Sequence, residues 1–531
     1  MLTALNNVRF GYQGEVLFEG VNLNINEGER IGLIGGNGEG KTTLLKLILG
    51  ELTPDEGDIF IKNGVRMGYL AQTGGFDSEK TVFEEMRSIF TREQNAIDSL
   101  REIERKIAQL SENDKEFTAL SAKYEHLNKT IAATDGYNYE VRIKTVLNGM
   151  GFEKDYGQII HTMSGGEKTK LKFCKLLLEQ PELLVLDEPT NHLDVKTLFW
   201  LEEYLSSYKG ALLIVSHDRY FLDKTVQKIA ELENKKLQEF KGNYSKYKVL
   251  KAERVATQWK EYEKQQEQIS QLQEYVERYL ARASTTKMAQ SRRTALEKME
   301  RIEKPSTPTP PPRFNFTYNE KPYENVLKIQ DLTLSVGEKL LFENANAEVR
   351  RGEKCALVGD NGTGKSTLIR QIVKNAKREI VLGRFARIAY YDQENTNLDP
   401  DNTVLSELWG RHVLSSQTDV RAALARAGLN YEDVDKKVGA LSGGERAKLA
   451  LAVFEAEHGN FLVLDEPTNH LDLMARESLE EALKAFDGTI LFVSHDRYFI
   501  RSIADKILCL SGQGMQEFKG SYEEFIAWKN N

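Results

Sequence analysis

Two segments of this 531-residue chain have the residue types and spacing that suit phosphate binding. P-loop one (35–42, GGNGEGKT) and P-loop two (359–366, GDNGTGKS) both match the pattern G-x-x-x-x-G-K-[ST]. Glycines let such a loop turn its N–H groups onto phosphate oxygens, and the N-terminus of the following helix adds a favourable field. Each loop follows an apolar stretch and precedes a helical pattern, as the motif requires. We expect Lys41 and Lys365 to bind the β- and γ-phosphates.

Two apolar strands each end in a pair of acids, Asp187–Glu188 and Asp465–Glu466. Parallel strands carry functional groups at their carboxyl ends, so these acids are expected beside the phosphate loops. The first acid of each pair suits Mg²⁺, and the second suits a general base that polarises an attacking water. The expected Mg²⁺ ligands are Thr42, Asp187, Ser366 and Asp465.

A histidine follows another apolar strand in each half, His217 and His495, within the sequence SHD. Either histidine could contact the γ-phosphate and sense hydrolysis, and the alternative is a capping or core histidine. Repetition at the same spacing favours a function. Gln72 and Gln393 follow the apolar pieces MGYLA and IAYYD, and each could contact Mg²⁺ or its water.

The sequence SGGE, beginning at Ser164 and at Ser442, is a second glycine-rich helix start that suits an anion. Each half already contains a phosphate loop. A second phosphate-binding helix in each half makes sense if it serves the nucleotide of the other half.

The chain is an internal duplication. The P-loops recur at an offset of 324, whereas SGGE, DEPTNHLD, SHDRYF and EFKG-x-Y all recur at 278. The motifs therefore mark a repeated domain of roughly 200 residues. The first copy is longer by 46 residues, and two apolar seams within that extra length predict an antiparallel helical hairpin, the arm, at about 88–135. We predict a first domain at 1–244, a linker at 245–322 and a second domain at 323–531.

The linker reads as a second helical hairpin followed by an extended strap. Apolar positions from Trp259 to Tyr279 predict a long helix, and those from Met288 to Ile302 predict a return helix. The run STPTPPPR cannot continue a helix, so it is expected to be extended.

Composition excludes several classes of protein. No run of 18 apolar residues occurs, which excludes a membrane-spanning helix of ordinary length. The three cysteines are far apart and form no CxxC, so a disulfide framework is not expected and a reducing cytoplasm fits best. The formal net charge of −8 argues against nucleic-acid binding by the chain as a whole.

Charge is distributed unevenly, however. From Lys241 to Lys304 the linker carries 15 basic and 9 acidic residues, which favours RNA as its partner over a merely solvated hairpin. Its expected RNA contacts are Arg278, Arg282, Lys287, Arg292 and Arg293. Residues 91–135 of the arm carry 7 basic and 9 acidic residues, so a ribosomal protein is its more natural partner.

This set of motifs resembles the ATP-binding-cassette ATPases. The chain is similar to the ABC-F family, because it has two cassettes in one chain, the arm, the helical linker and DEPTNHLD in both copies. The resemblance implies an α/β fold of two tandem ABC-type P-loop nucleotide-binding domains, with an inserted α-helical hairpin arm and an α-helical interdomain linker. It also implies ATP and Mg²⁺ as cofactors, ATP hydrolysis, and head-to-tail closure of the two cassettes over two ATPs within a monomer.

The resemblance assigns roles residue by residue. Glu188, Glu466, His217 and His495 would be catalytic, while Gln72 and Gln393 would join the metal ligands. Site one would combine P-loop one with Ser442 and Gly444, and site two would combine P-loop two with Ser164 and Gly166. The implied ATP-binding residues of these sites are Tyr12, Gly35, Asn37, Gly38, Gly40, Lys41, Thr42, Thr43, Gln72, Ser164, Gly166, Gly359, Asn361, Gly362, Gly364, Lys365, Ser366, Thr367, Gln393, Ser442 and Gly444.

One position departs from the family pattern. An aromatic side chain that stacks on adenine is expected about 29 residues before the P-loop lysine, where the chain has Tyr12 in copy one and Val336 in copy two. Valine offers less stacking, so we expect unequal nucleotide affinity at the two sites.

ABC-F proteins are implied to be ribosome-bound translation factors or ribosome-protection proteins. The implied partners are a 70S-type ribosome at its tRNA exit site, with rRNA, P-site tRNA and nearby ribosomal proteins, and no membrane subunit. A short linker tip at about 283–287 favours a housekeeping role over antibiotic resistance. The ATPase component of a membrane transporter is the alternative from another class, but it would leave the arm and the basic linker unexplained.

Overall fold

A computed structural model describes residues 1–12, 14–71, 77–110, 115–133, 136–190, 193–279, 286–302, 304, 311–337, 339–360, 362–375, 377–392, 397–411 and 416–530. Within these residues the chain forms two similar halves, cassette one with nine strands and eight helices, and cassette two with nine strands and seven helices. Two linker helices lie between them in sequence.

Each cassette contains a six-stranded and a three-stranded sheet. The strands of cassette one are β1 (Thr3–Tyr12), β2 (Glu15–Ile25), β3 (Arg30–Gly35), β4 (Glu56–Ile61), β5 (Met67–Leu70), β6 (Leu183–Asp187), β7 (Ala211–Val215), β8 (Lys228–Glu233) and β9 (Lys236–Lys241). The strands of cassette two are β10 (Asn325–Val336), β11 (Lys339–Arg350), β12 (Lys354–Val358), β13 (Ile380–Leu382), β14 (Ile388–Tyr391), β15 (Phe461–Asp465), β16 (Thr489–Val493), β17 (Lys506–Ser511) and β18 (Gly514–Lys519).

The strand orders are the same in both cassettes. The large sheets run β5-β6-β7-β3-β8-β9 and β14-β15-β16-β12-β17-β18, and only their last strands are antiparallel. The small sheets, β2-β1-β4 and β11-β10-β13, are antiparallel.

Helices flank the sheets and form both insertions. Those of cassette one are α1 (Lys41–Ile48), α2 (Val82–Ser88), α3 (Thr91–Ile107), α4 (Lys115–Ala133), α5 (Tyr139–Gly149), α6 (Gly165–Glu179), α7 (Val195–Ser206) and α8 (Arg219–Thr225). The linker helices are α9 (Tyr244–Tyr279) and α10 (Thr286–Lys298). Those of cassette two are α11 (Lys365–Lys374), α12 (Val404–Trp409), α13 (Gln417–Arg426), α14 (Gly443–Ala456), α15 (Leu473–Ala485), α16 (Arg497–Ile503) and α17 (Tyr522–Asn530). Short 3-10 turns lie at Gly136–Asn138, Ile160–Thr162, Tyr431–Asp433 and Val438–Ala440.

The large sheets are covered on both faces, which is why their central strands are continuously apolar. All five residues of β6, β7, β15 and β16 are buried. One face of the cassette-one sheet packs with α1 and the small sheet, around Phe18 and Leu44, and the other packs against α6, α7 and α8. Burying each Leu, Val or Phe side chain contributes about 1.5–3 kcal/mol, so these faces hold the sheet together.

This strand order gathers the motifs at one edge. P-loop one lies at the end of β3, the acid pair at the end of β6, and the SHD loop (216–218) at the end of β7. These three strands are parallel neighbours in the sheet. Cassette two repeats the arrangement with β12, β16 and β15. Because parallel neighbours place their carboxyl ends together, residues far apart in sequence converge there.

Both insertions are helical, as expected. The paired helices α3 and α4 form the arm, and their polar connection lies outside the described residues. Helix α10 ends at Lys298, before the predicted end at Ile302. There the side chain of Gln265 donates to the carbonyl of Glu300 and accepts from the Ile302 N–H, at 2.8 and 2.7 Å. These side-chain bonds replace helical backbone bonds and hold the returning chain against α9.

Most of the run STPTPPPR lies outside the described residues, and the chain that follows it is anchored in cassette two. Phe314 and Phe316 are buried in its core, and the Phe316 ring lies 5.3 Å from that of Phe454. Among the described residues, no helix is both long and apolar enough to cross a membrane.

Candidate nucleotide sites

P-loop one is shaped around its lysine. The Lys41 ammonium donates to the carbonyls of Gly35 and Gly36, each at 2.8 Å, and burial lowers its pKa. Gly40 has φ +98°, and a Cβ there would lie 2.6 Å from Leu17 Cδ2, so only glycine fits. The loop thus holds the lysine at the start of α1, where the helix N-terminus also favours an anion.

P-loop two has the same geometry. Lys365 donates to the carbonyls of Gly359 and Asp360 at 2.8 and 3.0 Å, and burial lowers its pKa. Gly364 also has φ +98°, and a Cβ there would lie 2.8 Å from Leu341 Cδ1.

A hydroxyl meets a carboxylate beside each lysine. Thr42 Oγ1 lies 3.2 Å from Asp187 Oδ2, and Ser366 Oγ lies 3.2 Å from Asp465 Oδ1. Burial raises the pKa of Asp187, and it raises that of Asp465 to about 6. Within the described residues, the second carboxylate oxygen of Asp465 is buried without a hydrogen-bond partner. Paired hard oxygens with an unused acceptor fit Mg²⁺.

A glutamate and a histidine form a pair next to each P-loop. The backbone N–H of His217 donates to Glu188 Oε2 at 3.3 Å, and the imidazole Nε2 of His217 lies 3.5 Å from Glu188 Oε1. The corresponding distances for His495 and Glu466 are 3.1 and 3.5 Å. Burial raises the pKa of both glutamates to about 7, and it lowers the pKa of His217 well below its usual value and that of His495 to about 4. Each pair therefore combines a base near neutral pH with an uncharged imidazole.

Both glutamates are held in an unusual backbone conformation. Glu188 has φ +52° and Glu466 has φ +49°, in the left-handed region that non-glycine residues rarely adopt. In the described part of the chain, Oε1 of each has no hydrogen-bond partner although it is buried. Strain and an unused buried acceptor at the same residue are typical of functional sites.

The SGGE segments begin helices through matched capping boxes. Ser164 caps α6 and Ser442 caps α14, and in each case the Glu at the third helical position, Glu167 or Glu445, bonds back to the serine N–H at 2.8 Å. This bond gives the glutamate a structural reason to follow the two glycines.

The SGGE segment of cassette two lies against P-loop one. Asn37 Nδ2 donates to the His470 carbonyl at 3.2 Å, and a Cβ on Gly444 would lie only 2.4 Å from that nitrogen. The structure thus brings Asn37 and Gly444 of the implied site one together across the cassettes.

Site two surrounds a cavity of about 530 Å³. Both cassettes contribute to its wall, which includes Thr190, Leu198, Asp218, Val336, Gly362, Gly364, Lys365, Ser366, Thr367, Glu466, Arg476 and His495. Val336, 56% exposed at the end of β10, lies on this wall at the expected adenine position. Tyr12 is similarly exposed at the end of β1.

Some expected residues cannot be placed. Gln72, Gln393, Asn361 and Arg282 lie outside the described residues, and Lys287 is placed only as part of α10. Thr43 lies in the first turn of α1. The three remaining linker arginines have partners within the linker: Arg278 pairs with Glu274, Arg293 pairs with Glu297, and Arg292 stacks 3.9 Å over the Tyr275 ring.

Sequence reasoning missed a reciprocal pair of ionic contacts between the cassettes. Arg219 bonds Glu480 and Arg497 bonds Glu202, with all four side chains buried. The two pairs are related by the 278-residue offset. The repeated SHDRYF contained the signal, because it repeats the arginine as well as the histidine.

Family profiles and relatives cover most of the chain. Residues 18–191 and 342–469 match the family described as ABC transporter, and 230–316 match a second family of the same description. Putative ATP-binding protein YdiF of Bacillus subtilis is 42% identical over 534 residues, covering 100% of this chain and 83% of that protein. ABC transporter F family member 5 of Arabidopsis thaliana is 34% identical over 531 residues, covering 98% and 77%. The chain belongs to the ABC-F family.

This ABC-F protein therefore binds ATP, and the predicted fold of two tandem P-loop domains with helical insertions is confirmed. Solved structures share that fold. A chain in the complex of archaeal ribosomal stalk protein aP1 and archaeal ribosome recycling factor aABCE1 is 18% identical, with a TM-score of 0.60 and coverage of 99% of this chain and 92% of that one. RNase-L Inhibitor is also 18% identical, with a TM-score of 0.57 and the same coverage.

Proposed function

We propose that this ABC-F protein hydrolyses ATP at two sites and, in its ATP-closed state, binds the ribosome at the tRNA exit site in the cytoplasm. It then regulates or rescues translation through its linker near the P-site tRNA. The observation that carries the proposal is the glutamate–histidine pair beside each P-loop, at an interface that both cassettes build.

This geometry supports the following chemistry at site one. A water oxygen attacks the γ-phosphorus, its proton passes to Glu188, and the bond to the ADP oxygen breaks, giving ADP and phosphate. A glutamate pKa of about 7 suits that transfer at neutral pH. Lys41 offsets the charge that develops on the phosphates, and the neutral His217 offers its imidazole to the γ-phosphate.

Glu466, Lys365 and His495 take the same roles at site two. Thr42 with Asp187, and Ser366 with Asp465, would hold Mg²⁺, which when bound neutralises phosphate charge.

Closure over ATP supplies the switch. A ligand shifts a conformational equilibrium only through its better binding to one state. A nucleotide between P-loop one and the Gly444 helix contacts both cassettes, and therefore favours the closed arrangement.

Ribosome binding has two supports. The fold is similar to that of a protein named as an archaeal ribosome recycling factor, and the linker has an excess of basic residues on a long helical hairpin. We propose rRNA and tRNA as partners of the linker, and a ribosomal protein as partner of the arm. YdiF and the Arabidopsis relative carry no antibiotic-resistance name, so a resistance role is not proposed.

Fractionation separates this proposal from a transporter ATPase. The full chain is expressed, and the lysate is divided into samples with and without a nonhydrolysable ATP analogue. The chain should sediment with ribosomes only in the sample that contains the analogue. Recovery of the chain with membranes, or sedimentation with ribosomes that does not depend on the nucleotide, contradicts the proposal. Phosphate release by the purified chain tests hydrolysis separately.

A further inference from the structure

One buried arginine breaks the symmetry of the two cassettes. Arg476 in α15 is 8% exposed, and its equivalent in α7, 278 positions earlier, is Leu198, which is 1% exposed. Both positions follow the repeated DEPTNHLD by the same distance. The halves therefore differ in charge at a buried position of their shared interface.

The contacts of Arg476 join elements of both sites. Its Nε donates to the Leu471 carbonyl at 3.1 Å, which fixes the guanidinium to its own cassette. Its Nη1 donates to the carbonyl of His217 in cassette one at 3.0 Å and lies 3.5 Å from Asp496 Oδ2 in cassette two. Asp496 directly follows His495, so one side chain touches both SHD loops (216–218 and 494–496).

Arg476 also lies on the wall of the site-two cavity, beside Glu466 and His495. The bond to the His217 carbonyl crosses between the cassettes, so it requires that they be closed. Leu198 lines the same cavity but has no group that can donate to the His495 carbonyl.

We infer that Arg476 is a positioning residue that fixes the His217 loop of site one, from the wall of site two, when the cassettes close. This rests on the proposed hydrolysis of ATP at both sites. Site one then depends on a contact that has no equivalent at site two, where Leu198 cannot donate to the His495 carbonyl. The Arg476 guanidinium bonds the backbone carbonyl of His217, and the backbone N–H of His217 donates to Glu188, so the contact reaches the site-one glutamate rather than P-loop one. We therefore expect it to act on turnover rather than on ATP affinity.

The test measures each site by itself. Glu466→Gln leaves only the site-one glutamate, and Glu188→Gln leaves only that of site two. Arg476→Leu, which installs the residue of the equivalent position, is added to each background, and single-turnover hydrolysis and ATP affinity are measured. Arg9→Leu, which removes an exposed arginine paired with Glu56, is the control.

In the Glu466→Gln background, where only site one keeps its glutamate, Arg476→Leu should slow hydrolysis about tenfold or more, as expected for loss of a charged hydrogen bond, with ATP affinity changed less than about twofold. In the Glu188→Gln background, where only site two keeps its glutamate, the hydrolysis rate should fall less than about threefold. Arg476→Lys should restore part of the site-one rate, because an ammonium can still donate to the carbonyl.

Equal loss at both sites, or a loss of ATP affinity without a change in rate, overturns the inference. If Arg476→Leu lowers the thermal unfolding midpoint, the two sites are compared in the same way with Arg476→Lys and Arg476→Gln instead. The Glu188→Gln, Glu466→Gln double variant tests the underlying function separately. If it hydrolyses ATP like the unaltered chain, the proposed function fails whatever Arg476 does.

Discussion

The guanidinium of Arg219, in cassette one, is buried against the carboxylate of Glu480, in cassette two. It also lies 4.1 Å over the ring of Tyr498. The reciprocal arginine, Arg497, pairs with Glu202 and lies 4.2 Å over the Tyr220 ring. The two arginines and the two glutamates therefore form their ion pairs across the pseudo-symmetric interface only when the cassettes meet.

Removing one partner of this ion pair should prevent closure. In Arg219→Met, Glu480 is left buried and unpaired, which costs about 3–5 kcal/mol and should raise the ATP concentration needed for closure by about 100-fold or more. Energy transfer between dyes on the two cassettes measures closure. The Arg219→Met, Glu480→Met double variant should recover much of the loss, because no charge remains unpaired.

The exposed pair Arg9–Glu56 provides the matched control, since an exposed ion pair contributes about 0–1 kcal/mol. Arg9→Met should leave closure unchanged. An Arg219→Met chain that closes like the unaltered chain would show that this pair does not hold the cassettes together.

The base of the linker is tied to cassette two. Lys248 and Tyr244, both in α9, reach Glu477 at 2.6 and 3.4 Å, whereas the equivalent of Glu477 in cassette one is Phe199. Glu477→Gln should therefore loosen the linker relative to cassette two. Arg219, whose Nη1 lies 3.6 Å from Glu477, keeps its bond to Glu480, so ATP affinity should change little. Spin-label distances between α9 and cassette two should broaden in the closed state, and an unchanged distribution counts against this coupling.

Adenine stacking should distinguish the two sites. Tyr12→Val should weaken ATP binding at site one, and Val336→Tyr should strengthen it at site two, each by about 1–3 kcal/mol, the usual range for stacking of a base on an aromatic ring. Fluorescent-ATP titrations in Lys365→Ala and Lys41→Ala backgrounds isolate the sites. Equal dissociation constants before substitution would refute the predicted inequality.

The linker arginines should contribute to ribosome affinity by neutralising phosphates. Replacing Arg278, Arg292 and Arg293 together by Gln should weaken binding and lower the slope of log affinity against log salt by about 0.7–0.9 for each phosphate that is no longer neutralised. Two of these arginines pair with glutamates within the linker, so RNA must compete with those partners. Arg9→Gln serves as the control, and an unchanged salt slope in the triple variant would exclude these residues as RNA contacts.

Local patterns in the sequence predicted most of the architecture. The repeated motifs predicted the two P-loop domains. The spacing of apolar residues predicted helices that correspond to α3, α4 and α9 of the structure. The early end of α10 was not predictable, because it depends on side-chain bonds from Gln265, 35 residues or more away. Periodicity within a segment carries no information about such distant partners.

The expected nucleotide-binding residues could be named from the sequence because their chemistry requires fixed local spacing, and their roles stay predictions. The cassette interface was harder to predict. Arg219 and Glu480 are 261 residues apart, and although the repeated SHDRYF singles out the arginine, nothing local marks Glu480 as its partner. Arg476 leaves even less signal, since the duplicated sequence has leucine at the equivalent position.

The ribosome-binding behaviour of a hydrolysis-deficient chain tests the central claim most directly. In the Glu188→Gln, Glu466→Gln double variant, ATP can close the cassettes but no base remains to activate water at either site. With ATP this variant should co-sediment with ribosomes and inhibit translation, while the unaltered chain is released after hydrolysis. A double variant that stays in the ribosome-free fraction with saturating ATP would contradict the account.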